Sequence, residues 1–284
     1  MAPKLRKLEV AALNIKLNTP GDTARYIELM KEVVTSRFAS KVYSNDYIEF
    51  KNISELQEDM PEKGLIGSIV RYTDINSDVP GYNVSSQEDC NIDWPEELKA
   101  NRRIIKFIFF PEKHRLLFDT EFLPPNSAVK SCQRIFQSDD INKKFGYVAV
   151  ELETSSGAIS KIKAMSIKKS LTVHITLPNP DAPTKAAEKI KKRLQKANVR
   201  VAKMAESSDN PNGIIFGEEE DGWLDLSKSN GRALGKGINQ GERITIDTRD
   251  HPAIYKTTIN PEEDISAELE RISNEALSYL VGNS

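Results

Sequence analysis

Cysteine, histidine and tryptophan are scarce in this chain of 284 residues, at two, three and two copies. Two thiols, Cys90 and Cys132, cannot staple a disulfide framework, so a reducing cytoplasm is the natural setting and burial must hold the core. At this length a chain can bury about three-quarters of its unfolded surface. His114, His174 and His251 show no HxxxH or HxH spacing, so no metal site is expected. No run approaches the ~20 apolar residues of a membrane span, and residues 1–7 (MAPKLRK) lead into no apolar stretch, so neither a membrane nor a secretory signal is expected. There is no Gly-x-Gly-x-x-Gly. A Walker loop also fails: Gly237, not a hydroxyl residue, follows Lys236. No cofactor and no catalytic residue is therefore expected, and the chain reads as more a binder than an enzyme.

What the chain does have is charge, and it is segregated. The formal net charge is −2. Residues 161–203 carry twelve Lys/Arg against Asp181 and Glu188, a net of +10. Residues 204–284 carry seven Lys/Arg against sixteen acids, a net of −9, which leaves −3 for residues 1–160. A block of one sign sets up a field that attracts partners of the other. Three partners fit: the acidic block of the same fold or of a second copy, a nucleic acid, or an anionic membrane surface.

Residues 8–17 (LEVAALNIKL) read as a strand, broken at 18–21, and Asp22 or Thr23 can cap a helix to about residue 38. Strands follow over 41–51 and 64–74, then a long connection over 75–100. Residues 102–110 (RRIIKFIFF) and 114–119 form a hairpin. A helix is predicted from Pro124 to about Phe145, with strands over 147–153 and 171–177 and a short basic stretch over 160–167. This order suggests an α+β fold with a largely antiparallel sheet, flanking helices and a mixed C-terminal region. The division drawn from it is 1–181 as a sheet domain and 182–284 as basic helix, Gly-rich loop, strands and a C-terminal helix (261–281).

The sharpest expectation is a helix from Ala182 to about Met204, capped by Asp181 with Pro183 in its first turn. Apolar residues at 187, 190, 194, 197, 201 and 204 make one seam. Lys185, Lys189, Lys192, Lys196, Arg200 and Lys203 make a second stripe of like charge, with Glu188 as its single acid. The plain alternative is a solvated amphipathic face; the functional one is a track for a phosphate backbone. Aromatic interleaving is missing, which argues against base stacking there. Residues 227–243 (SKSNGRALGKGINQGER) follow as a glycine-rich loop after short strands at 214–216 and 223–226, and Arg232 and Lys236 are its candidate phosphate contacts.

These residues together predict a non-enzymatic nucleic-acid-binding protein, for DNA or RNA. A homodimeric interaction or structural component, the +10 block answering the −9 block, is the first alternative. A metal-dependent nuclease effector is the second, built on Asp247, Asp250 and Lys256 or on Glu151, Glu153 and Lys161.

Short stretches spread along the chain resemble the bacterial family DUF4747: VAALNI (10–15), 64–74 leading into Asn76-Ser77-Asp78, Phe109-Phe110-Pro111 with His114-Arg115-Leu116, 124–129, Phe145-Gly146, Pro178-Asn179-Pro180-Asp181, Ser229-Asn230-Gly231 and Asp250-His251-Pro252. The resemblance implies one full-length family member from a bacterium or phage, and carries no activity. By fold analogy with phage-exclusion DNA binders, antiphage defence is the setting it suggests.

Overall fold

The computed structural model describes residues 5–17, 22–75, 81–91, 95–176, 184–260 and 262–281. The break at 18–21, the motif at 178–181, the Asp181 cap, Pro183 and Pro261 lie outside the described residues.

In chain order the elements are β1 (Arg6–Leu17), α1 (Thr23–Ser36), β2 (Ser40–Tyr43), β3 (Asp46–Glu55), β4 (Leu65–Thr73), β5 (Gly81–Asn83), β6 (Glu88–Cys90), β7 (Ala100–Phe110) and β8 (Arg115–Asp119). Then come α2 (Pro125–Phe136), α3 (Asp139–Phe145), β9 (Val148–Leu152), α4 (Ser156–Lys163) and β10 (Ile167–Thr176). The rest are α5 (Lys185–Lys196), β11 (Val201–Ser207), α6 (Glu218–Asn230), β12 (Gly231–Asn239), β13 (Glu242–Asp247), β14 (Tyr255–Ile259) and α7 (Ile265–Val281). The fold is α+β with antiparallel pairing throughout the named ladders.

An eight-stranded sheet runs β14-β1-β8-β7-β4-β3-β2, with β9 beside the second half of β1. The apolar runs of β1 and β7 follow from burial on both faces. Leu13, Ile15 and Phe109 face a core closed by α1, α2 and α3, whereas Leu8, Val10 and Ile108 face α7 through Leu269, Ile272, Ala276 and Leu280. The helix expected over 124–145 is two, parted at Gln137–Ser138, and the strand expected over 41–51 turns at Ser44, whose φ is 46°.

A second sheet, β11-β10-β12-β13, is covered on one face by α4, α5 and α6 through Leu171, Val173, Ile175, Ala233 and Ile246. Residues on both sides of position 181 serve both sheets: β10 joins the second, while β14 and α7 return to the first.

The glycine-rich stretch is corrected from a loop to strand β12 with the turn into β13. Its glycines answer close packing. A Cβ on Gly231 would stand 1.9 Å from the His174 carbonyl oxygen, and one on Gly237 2.2 Å from that of Ile167. Residues 223–226 are helical within α6, 160–163 helical within α4, and 214–216 lie outside any strand.

Candidate functional site

The helix expected over 182–204 is the main correction. Thr184 caps α5, its hydroxyl accepting from Ala187 N at 3.2 Å, and the helix ends at Lys196. Asn198 then takes a left-handed φ of 50°, and the chain enters β11. The seam spacing was ambiguous past Ala197: Ala202 and Met204 also alternate with Val201 and Lys203, and pairing with β10 satisfies backbone groups that a helix would otherwise have used. Ala187, Ile190 and Leu194 still dock α5, with Ile190 against Gly222 of α6, where a Cβ would come within 2.9 Å of Ile190 Cδ1.

The six-residue basic stripe therefore does not form. Lys185, Lys189, Lys192 and Lys196 lie on α5, and acids answer part of that helix. Lys192 pairs with Glu188 at 2.8 Å. Arg193 reaches Glu219 of α6 at 3.4 Å and lies over the Trp223 ring. On the neighbouring α4, Lys163 meets Asp221 and Asp225, each at 3.1 Å. Arg200 has left the helix altogether and stacks on Tyr147, 4.3 Å from the ring centre.

Lys203, Arg232 and Lys236 are instead brought together on the opposite side of the second sheet. In antiparallel pairs, residues directly across from one another share a face. His174 stands opposite Lys203 of β11 and opposite Arg232 of β12. Ser170 stands opposite Lys236, and Ile238 opposite Arg243 of β13. Since Leu171, Val173 and Ile175 point into the helix-covered core, the alternate residues of β10 point away from it. This open face carries Lys203, Arg232, Lys236 and Arg243 with His174 at the centre of a row across three strands. Asp247, opposite Leu234, is the acid on the same face. None of the side chains that β10, β11 and β12 turn to this side is Phe, Tyr or Trp.

At one end the open face meets α2 and β9 of the first sheet in a cleft of about 270 Å³. Lys130, Glu151, His174, Arg232 and Arg249 supply its charge, and Val129 and Leu152 its apolar lining. Partial burial, then the positive charges of Arg232, Lys203 and Arg249, hold the His174 imidazole below its ordinary value. Burial alone would raise the Asp247 carboxyl, but hydrogen bonds from Arg249, including one of 2.7 Å, more than reverse that and hold it below the usual range. Among the described residues, the side chains of Lys130, Lys203 and Arg232 make no hydrogen bond or ion pair.

Behind the cleft the two sheets are joined by a buried polar seam. Asn14 donates to the Ser229 carbonyl at 2.7 Å, and the Lys16 ammonium donates to the Thr176 carbonyl. Arg115 Nε stands 2.7 Å from Glu153 Oε1, both side chains essentially inaccessible, as an ion contact rather than an aligned hydrogen bond. Glu153 also accepts from Ser229 Oγ at 2.8 Å, and Arg115 donates to Asn14 Oδ1 at 2.9 Å. Backbone bonds Thr154 N–Lys228 O, at 3.1 Å, and Ser155 N–His251 O, at 2.9 Å, complete the joint. Desolvation pulls the Lys16 ammonium down to about 8.

Members of both carboxylate–lysine sets have other partners. Asp247 is held by Arg249, while Lys256 pairs with Glu9 across β14 and β1 at 2.8 Å. Glu153 is buried against Arg115, and Lys161 is exposed on α4. Cys90 and Cys132 are both free thiols. No helix among the described residues is long and apolar enough to cross a membrane.

The family model of DUF4747, a domain of unknown function, matches residues 6–274. The chain belongs to DUF4747. No curated protein matches this DUF4747 member. Among solved structures, one similar chain is from the toxic C-terminal tip of CdiA from Pseudomonas aeruginosa in complex with immune protein. It shares 12% identity over 52% of the DUF4747 chain and 88% of its own, with a TM-score of 0.21, too low to carry an argument.

The sequence missed Lys130, His174 and Arg249 as neighbours of Arg232. Strand register joins His174 to Arg232, and the packing of α2 and of the turn after β13 brings in Lys130 and Arg249; no local spacing encodes either.

Proposed function

We propose that this protein binds nucleic acid through the open face of its second sheet rather than through the lysines of α5 on the other side. The observation that carries the reading is the row Lys203–His174–Arg232 across three adjacent strands, with Lys236 and Arg243 further along. Adjacent strands lie ~4.8 Å apart, and alternate residues of one strand ~6.8 Å apart. Cations on such a grid can meet successive phosphates of one backbone. With no Phe, Tyr or Trp among the side chains that β10, β11 and β12 turn to this face, recognition falls mainly on phosphates and sugars, which gives affinity with little base readout.

Fluorescence anisotropy with a labelled 20-nucleotide single strand tests this. Four cationic contacts give a salt slope near −2.8, so affinity should fall about 50-fold between 50 and 200 mM salt. Undetectable binding at 50 mM salt to single strands, duplex DNA and RNA alike would overturn the reading.

A further inference from the structure

The cleft has a feature that the open face beyond it lacks: it stops. A strand lying along β10 and β12 meets α2, β9 and the buried seam at that end, where Thr154 bridges to Pro252 and Lys16 is tied to the Thr176 carbonyl. A continuing phosphodiester chain would have to cross that joint, whereas a terminal group has a pocket to fill.

The charges there suit such a group. Lys130 of α2 and Arg232 of β12 reach the cleft from opposite walls without ion pairs of their own among the described residues. Arg249 stands at the rim, its guanidinium fixed by Asp247. Lys130, Arg232 and Arg249 against Glu151 and Asp247 leave one net positive charge, and a proton on His174 makes two. A phosphate monoester carries about −1.5 to −2 near neutral pH, and a diester only one charge. The lining of Val129 and Leu152 excludes water on one side and strengthens each of these attractions.

We infer that the cleft seats a phosphate monoester, with Lys130 and Arg232 as direct countercharges and with His174 taking up a proton as the anion enters. The monoester is either the terminal phosphate of a strand or that of a free mononucleotide. The first source rests on the nucleic-acid reading above; the second does not.

His174 faces Lys203 on β11, Arg232 on β12 and Arg249 after β13, and shares the cleft with Glu151 of β9 and Lys130 of α2. Partial burial first, and then the cations around it, disfavour its imidazolium, and a dianion set among those cations offsets their share.

NMR titration of the His174 imidazole in the full chain reads this directly. Adenosine 5′-monophosphate and inorganic phosphate should each raise the His174 midpoint by about one unit, and adenosine should leave it in place. Arg232→Ala should weaken adenosine 5′-monophosphate binding by about tenfold or more, in keeping with the loss of a charged hydrogen bond. A midpoint unmoved by both phosphates, or moved equally by adenosine, overturns the inference. Oligonucleotides with a 5′-phosphate or a 5′-hydroxyl separate the sources: a preference for the phosphorylated end, in addition to the midpoint shift, assigns the strand terminus. Equal affinity with the shift retained assigns the mononucleotide. Oligonucleotide binding with no midpoint shift removes the cleft and leaves the open face standing. A midpoint shift without oligonucleotide binding does the reverse.

Discussion

Replace Glu153 with Gln, and Arg115 keeps its charge where water cannot reach it. Both side chains are essentially inaccessible, and their contact lies where the eight-stranded sheet meets the second one. Breaking a buried pair by removing one partner typically costs 3–5 kcal/mol. Arg115 retains hydrogen bonds to Asn14 Oδ1 at 2.9 Å and to the Lys113 carbonyl at 2.7 Å, which places the expected loss near the lower bound, about 3 kcal/mol. Lys16 limits the loss further, because Glu153 is one of the charges supporting its ammonium and a lysine held near 8 can release a proton when that support goes. Against a total stability of 5–15 kcal/mol, about 3 kcal/mol is a large share, and it corresponds to a Tm lower by roughly 6–12 °C. Urea unfolding at pH 7, followed by far-UV circular dichroism, measures it. The pair Arg115→Met with Glu153→Gln should recover most of the loss, since a neutral, well-packed joint avoids desolvating two charges. A single variant within 1 kcal/mol of the parent, or a double variant as unstable as the two single losses added, would mean that the buried pair does not hold the joint.

Other consequences follow from the same joint and from the second sheet. Lys16 has a folded value near 8 and an ordinary unfolded value of 10.5, so the unfolded chain binds more protons between those limits and stability rises with pH there. Between pH 7.5 and 9.5 that gain is about 2 kcal/mol, and Lys16→Met should remove it from the urea-unfolding difference. Gly231→Ala forces a Cβ against the His174 carbonyl at 1.9 Å and should cost about 1–3 kcal/mol or more in the same assay, whereas Gly241→Ala, with open space around it, should show only the milder cost of its left-handed φ of 86°. Burial pushes the Cys132 thiol up to about 12, so Ellman's reagent should titrate Cys90 first in the native protein and Cys132 only on unfolding.

Much of the architecture was legible in the chain because its signals are local. The apolar stretches within 8–17 and 102–110 are buried on both faces, and Pro125 stands in the first turn of α2, where the fixed backbone angle of a proline suits a helix. Misread elements had two compatible periods or a misleading composition. Val201 and Met204 fit a helical seam, but Asn198 in a left-handed turn allows the next residues to pair with β10. Glycines at 231, 235 and 237 look like a flexible loop by composition, yet their job is to let β10 and Ile162 come close to β12. Of the expected contact residues, Arg232, Lys236 and Lys203 meet on one face, while the α5 lysines lie on the other side of the sheet. That separation depends on long-range register, which charge spacing along the sequence does not carry.

Salt slopes for two double variants decide which side of the second sheet meets the polyanion. Arg232→Ala with Lys236→Ala should flatten the plot of log affinity against log salt for a single strand by about 1.4, two contacts at ~0.7 each. Lys189→Ala with Lys196→Ala should leave the slope within 0.3 of the parent by the same rule, roughly half a contact. The opposite outcome, a slope flattened by the helix pair and untouched by the sheet pair, would contradict the account.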